Sequence, residues 1–265
     1  MLVRNTALRH TVQVLAIALP LVLFALPFAA VLLGSVAGSW SGAVPSGLTL
    51  GNFAAAVGES GTLSAAGASL VTAGVATLVA VVLATSAALG ARSAPRLRTI
   101  VDAAFLLPVA VPSVAIGLAI LIAFSSGPLP LNGTVWIVLV AHVVLVSAIA
   151  HQPISAAVAR LDRRYEESAA ALGASSTRIL LTVVLPQLRP ALIAAAALCT
   201  ALSMGELTAV MMVAPPTWRT LPLEVFSMTS RGIHLYEGAA LAVLLMGTTL
   251  VLLLGLGRLA RRQAA

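Results

Sequence analysis

Residues Ala66 to Ala91 read AGASLVTAGVATLVAVVLATSAALGA, twenty-six positions without a single charge. The run is continuous and rich in Leu, Val and Ala instead of alternating, which predicts a membrane-spanning helix of roughly 20 residues or more and not a barrel strand. Five more stretches of the same kind follow the same reading: Val14 to Ser35, Thr99 to Phe124, Val135 to Ile154, Ala191 to Ala214 and Gly238 to Gly257. With 60% hydrophobic residues and only 9% charged over 265 positions, no soluble core absorbs so much apolar surface. The expected fold class is all-α, a polytopic membrane protein of six transmembrane helices. The first stretch is longer than the apolar core of a signal peptide and has no small-residue cleavage site behind it, so a retained helix is expected.

All fifteen basic residues are arginine. Arg4 and Arg9 precede the first span, and Arg92, Arg96 and Arg98 join the second to the third. Arg160, Arg163, Arg164, Arg178 and Arg189 join the fourth to the fifth, and Arg258, Arg261 and Arg262 follow the last. Only Arg219 and Arg231 fall on the other side. The positive-inside rule then puts the arginine-rich face, and both termini, in the cytoplasm. Trp40, Trp136 and Trp218 fall near span ends on the opposite face, where amphipathic indoles favour the headgroup layer. The net charge of +7 suits anionic lipid headgroups at span ends, so membrane lipid and not nucleic acid is the expected basic-patch partner. Cys199, the single cysteine, lies inside span five, where it makes neither an intrachain disulfide nor a thiolate metal site. It is expected to be a small helix-packing residue.

Ala37 to about Leu63 reads as a Gly-, Ser- and Pro-containing external connection, and SSGPLPLNGT as a turn-rich one. The external loop Pro215 to Glu237 serves either as a cap on the bundle or as a meeting point for an extracytoplasmic partner. Pro108 and Pro112 lie four apart in span three, on nearly one helical face, which predicts a kink there.

The one polar interruption of the apolar chain is Leu161 to Pro190, LDRRYEESAAALGASSTRILLTVVLPQLRP. Asp162 is placed to cap a short helix whose positive end carries Glu166 and Glu167. Tyr165, Ala169 and Leu172 share a face, and Gly173 is placed to end the helix in a left-handed conformation. Ser175 or Ser176 caps a second helix that turns apolar toward Pro186, with membrane re-entry expected at Pro190. Helix, glycine turn and returning helix make a shape that seats in a partner's groove, so the segment is read as a cytoplasmic coupling helix between spans four and five. The alternative is an amphipathic linker.

Glu167-Ser168-Ala169, three residues, Gly173, nine residues, then Val183-Val184-Leu185-Pro186 resembles the EAA motif of type-1 permease subunits of binding-protein-dependent ABC importers. Ser168 and Val183 depart from that pattern conservatively. The resemblance runs over roughly Ala66 to Gly255. It implies a division into an N-terminal helix and external loop (1–65), the permease core (66–257) and a cytoplasmic tail (258–265), in a bacterial inner membrane. It further implies pairing with a second permease chain, identical or related, two cytoplasmic ATPase subunits beneath and an extracytoplasmic substrate-binding protein above. Glu166, Glu167, Ala169, Gly173, Leu185 and Pro186 become the ATPase-coupling residues.

The chain has no lysine, so it has no Gly-x-x-x-x-Gly-Lys-Ser/Thr phosphate loop. No cofactor is expected on this chain, and ATP is expected to be used by the partner. There is no His-Glu-x-x-His pair and no Gly-x-Ser-x-Gly elbow, and His10, His142, His151 and His234 are scattered, so an enzyme is not expected. The competing reading is an ion-coupled secondary transporter, for which Glu206, Asp102 and His142 are the internal polar groups. Glu206 is costly in hydrocarbon unless it faces a path or a partner, and it is expected either to line a translocation path with Ser203, Met204 and Thr208 or to pair across a permease dimer. PSGLTLGNF, GPLPLNGT and SMGELTAVMMVAP followed by RTLPLEVF resemble permeases for phosphonates such as 2-aminoethylphosphonate first, then ferric iron, polyamine, thiamine and oxyanion permeases.

Overall fold

The structure, a computed structural model, describes residues 6–42, 44–230 and 232–262. Arg4 and Arg231 lie outside the described residues, as do the side chains of Arg9, Arg261 and Arg262. The described residues form helices joined by turns and loops, with no strand among them and one isolated bridge between Ser39 and Ser46. In order come α1 (Thr6–Ser35), α2 (Gly51–Gly58), α3 (Thr62–Ala91), α4 (Pro95–Ala110), α5 (Ser113–Ala123), α6 (Val135–Ala159), α7 (Arg163–Ala171) and α8 (Ser176–Ile179). A π-helical turn, Leu180–Val184, leads into α9 (Leu185–Gly205), followed by α10 (Thr208–Val213), α11 (Leu221–Thr229) and α12 (Leu235–Arg262).

Among the described residues five stretches are long and apolar enough to cross a membrane: Val12–Ser35, Thr62–Ala91, Val135–Ala159, Ser176–Gly205 and Leu235–Leu259. The sixth expected span is not one helix. It is the pair α4 and α5, bent by 106°. The residue before a proline is driven out of the helical region, and Val111, before Pro112, is extended at φ −109, ψ 133. The expected kink is thus a complete break.

Span five also differs from expectation. It starts at Ser176, not Ala191, and runs without interruption through Pro186 and Pro190. In the π-helical turn the Leu185 N–H reaches back five residues to the Leu180 carbonyl. That widened turn takes up the ring of Pro186, which in a regular α-helix meets the carbonyl four residues before it. The helix then ends at Gly205 and not at Ala214, because Glu206 is extended at ψ 119.

The chain divides into two compact units, Met1–Ser60 with Val225–Leu244, and Gly61–Glu224 with Leu245–Ala265. In the first, α1 leaves Ile17, Leu19 and Phe24 exposed, as a helix facing lipid does, and the Asn52 side-chain amide donates to the carbonyls of Ser35, its last residue, and of Ala37 just beyond. In the second, α3 lays Ala76, Ala80, Ala84 and Ala88, one per turn, against α6 and α9. Small residues let membrane helices approach closely, where dispersion and interhelical hydrogen bonds replace the hydrophobic effect. Thr77 and Thr200 join α3 to α9 by their hydroxyls at 3.2 Å, and the buried Cys199 thiol donates to the Val146 carbonyl at 3.3 Å. Cys199 is the helix-packing residue its position suggests.

The broken pair covers both ends of α6. On α4, Asp102 accepts from Ser155 and meets His151 Nε2 at 2.7 Å, while Phe105 stacks on the His151 ring. On α5, Ile116 and Ile120 pack with Ile137, Val138 and Ala141 near the start of α6. Trp136, at that start, is 61% exposed, as an interfacial indole is. Trp218 is part-buried, and its indole N–H donates to the Thr72 hydroxyl on α3 at 3.0 Å.

Candidate functional site

Two places gather the residues singled out in the sequence. The first is α7 at the arginine-rich end. The Asp162 carboxylate accepts from the Arg164 N–H at 3.0 Å, capping a helix whose first turn holds Glu166. At the other end the Ala174 N–H reaches the Ala169 carbonyl and the Gly173 N–H the Ala170 carbonyl, the paired closure that needs a left-handed residue. Gly173 supplies it at φ +83. The Ser175 hydroxyl accepts from the Arg178 N–H to start α8. Sequence and structure agree on this turn in detail.

Arg92, at the end of α3, holds α7 in place. Its guanidinium donates to Glu166 Oε1 at 2.5 Å and to the Leu161 carbonyl at 2.8 Å. The Arg92 side chain is only 14% exposed, so this bidentate clamp keeps more strength than a solvated surface pair. Glu166 is therefore occupied within the chain. Glu167 is exposed on this short polar helix, as is Tyr165 at 62%, and Leu172, just after its last residue, is 89% exposed. Behind α7 lies a groove of about 540 Å³ bordered by Arg92, Glu166, Glu167, Ala170, Ile179 and Val184. Ala169 is half-buried, and Leu185 and Pro186, also half-buried, sit in the first turn of α9.

The second place is where two helix breaks meet. The α4–α5 break at Val111-Pro112 lies beside the α9–α10 break at Glu206-Leu207: the Ser113 and Thr208 hydroxyls are hydrogen-bonded to each other. A Cβ on Gly117 would stand 2.7 Å from the Ala209 carbonyl oxygen and 2.9 Å from its Cα, so α5 and α10 touch backbone to backbone. Glu206 turns back to cap α10, its Oε1 accepting from the Ala209 N–H at 2.8 Å and the Thr208 hydroxyl at 3.0 Å. Beside it, His142 of α6 is buried, with Nδ1 at 2.7 Å from the Ser203 hydroxyl and no hydrogen-bond partner on Nε2. A cavity of about 220 Å³ opens between them, walled by Pro108, Val109, Leu145, Leu202, His142 and Glu206. Of the four expected path residues only Glu206 lines it. Ser203 is behind His142, Met204 is fully buried, and Thr208 is engaged with Ser113 and Glu206.

The family profile described as the binding-protein-dependent transport system inner membrane component matches residues 80–263. The chain is 43% identical to "Putative 2-aminoethylphosphonate transport system permease protein PhnV" of Salmonella typhimurium, over 99% of this chain and 98% of that one. The chain belongs to this permease family. It is also 33% identical to the putrescine transport system permease protein PotI of Escherichia coli, over 70% of this chain and 68% of that one. Its fold resembles a chain of a bacterial alginate ABC transporter solved with an alginate-pentasaccharide-bound periplasmic protein (TM-score 0.73, 14% identity, 97% and 96% covered).

The permease is thus a multi-pass inner-membrane subunit of an ABC importer, a family whose ATP is used by partner ATPases. That membership displaces the ion-coupled carrier reading. Three residues of the permease escaped the sequence reading. Arg92 was legible only as a topological charge, because its partner Glu166 is 74 positions away. His151 read as a scattered histidine, although it pairs with Asp102, and His142 was legible as an internal polar group but not as a neighbour of the helix breaks.

Proposed function

We propose that the permease imports 2-aminoethylphosphonate or a close aminoalkylphosphonate. The observation that carries the cargo is the 43% identity, held across 99% of the chain, to PhnV. Two cytoplasmic ATPases dock on α7, one on this chain and one on a second, identical or related permease chain, and an extracytoplasmic binding protein delivers the cargo. The arginine-rich end and both termini face the cytoplasm, 66–257 forms the transport core, and residues 1–65 and 258–265 flank it.

The chain has no lysine and hence no phosphate loop of its own, so the power stroke reaches it through contacts. Glu167, Tyr165 and Leu172 present α7 to the ATPase, and the Arg92 clamp on Glu166 and Leu161 passes its displacement to α3. Closure of the ATPases then draws the docking helices together and favours the outward-facing state by differential binding.

Proteoliposomes holding the permease complex, with its ATPase and binding protein, test the cargo. The expected result is ATP-dependent accumulation of labelled 2-aminoethylphosphonate and stimulation of ATP hydrolysis by it. Accumulation of putrescine in its place overturns the assignment.

A further inference from the structure

Glu206 forms no ion pair among the described residues, although most of the wall beside it is aliphatic. Its Oε1 is committed to α10, while Oε2 makes no hydrogen bond. A carboxylate at this level is expensive unless a cation meets it. His142, 1% exposed, borders the same cavity, with Nδ1 against the Ser203 hydroxyl and Nε2 buried without a partner. In the tautomer that carries its proton on Nδ1, which then donates to the Ser203 hydroxyl, Nε2 is a lone-pair acceptor. Pro108 also borders the cavity, and its carbonyl has no regular helical donor, because residue 112 is proline. The cavity therefore offers acceptors and one negative charge, and no positive group.

We propose that this cavity is a subsite on the transport path for a primary ammonium group carried on a short alkyl chain. The ammonium has three donors; Glu206 Oε2 and His142 Nε2 receive two of them, and Val109, Leu145 and Leu202 enclose the methylenes. An inorganic cation is the poorer fit. Calcium takes six to eight oxygen ligands and magnesium a full octahedron, whereas the described residues hold no group of three His, Cys, Asp or Glu suited to a metal. A phosphonate finds only the carboxylate's repulsion here, so the amino end of an aminoalkyl cargo is the end that seats. This deepens the reading of the chain as an importer of an aminoalkyl compound and rests on the helix breaks lining its path. It accords with the two relatives' names, since 2-aminoethylphosphonate and putrescine each carry a primary ammonium.

The test uses the complete permease–ATPase complex in lipid nanodiscs without binding protein, titrated with n-propylammonium, 2-aminoethylphosphonate or ethylphosphonate at constant ionic strength and followed by saturation-transfer NMR. Saturable binding of both ammonium probes is expected, with none of ethylphosphonate. Glu206→Gln keeps an amide oxygen to cap α10 but removes the charge, and is expected to weaken n-propylammonium binding about tenfold or more. His142→Phe, which removes the ring nitrogens from a buried position, is expected to weaken it as well. Equal affinity of wild type and Glu206→Gln, equal binding of ethylphosphonate, or no saturable n-propylammonium binding each overturns the subsite. Because n-propylammonium is not the cargo, failure of 2-aminoethylphosphonate uptake with the Glu206-dependent binding intact removes the cargo assignment and leaves the subsite standing.

Discussion

Gly117→Val is expected to leave the chain inserted in the membrane but to abolish uptake and bring unfolding to a lower SDS fraction. The Cβ alone would stand 2.7 Å from a carbonyl oxygen and 2.9 Å from the Cα of Ala209, and neither is the end of a flexible side chain. Relief requires α10 to move off α5, which parts the Ser113–Thr208 hydrogen bond and disturbs the register of both helix breaks. Overpacking of this kind costs about 1–3 kcal/mol, and the two further methyls of valine add to it. Gly117→Ala carries the Cβ clash without those methyls and is expected to fall between wild type and valine. Wild-type uptake and stability in Gly117→Val contradict the close approach.

Gly173→Val is expected to sever ATP hydrolysis from transport. The Gly173 Cβ position is open, with nothing within 4 Å, so the penalty comes from its φ of +83 and not from crowding. A left-handed conformation costs an L-residue roughly 1–2 kcal/mol, and a β-branched one sits at the worse end. That lowers the population of the closed α7 turn by about fivefold to thirtyfold, and cargo-stimulated hydrolysis by the reconstituted complex should fall in step. Asparagine tolerates this region, so Gly173→Asn is expected to retain most of the stimulation. Unimpaired stimulation in the valine variant contradicts the role of this turn.

The long apolar stretches made the spanning helices legible, since backbone groups in hydrocarbon leave no other solution for runs of Leu, Val and Ala. The α7 turn was legible for a different reason: cap, glycine and following serine are all local signals. What escaped was set by geometry over longer range. The break at Pro112 read as a kink, because sequence alone does not say whether a helix re-forms in line after Val111 turns extended. A second helix turning apolar toward Pro186 and membrane re-entry at Pro190 were expected, whereas one span runs from Ser176 through both prolines, with a π-helical turn before them. Glu206 read as an intrahelical charge, although Gly205 before it and Thr208 after it are residues that suit a helix end and a new start. The Arg92 clamp and the His142 cavity join residues from separate helices, and no spacing along the chain announces them.

Docking of an ATPase on α7 is the claim on which the account turns, and site-directed crosslinking in the assembled complex reads it most directly. In a Cys199→Ser background, Leu172→Cys places a reactive thiol at the 89%-exposed apolar position that follows α7, and Leu129→Cys places one at a 66%-exposed position beyond the other end of α6. With a short bifunctional maleimide, the expected result is an adduct between the Leu172→Cys chain and the ATPase subunit, with none for Leu129→Cys. An ATPase adduct at position 129, or none at position 172 while the ATPase co-purifies, contradicts the account.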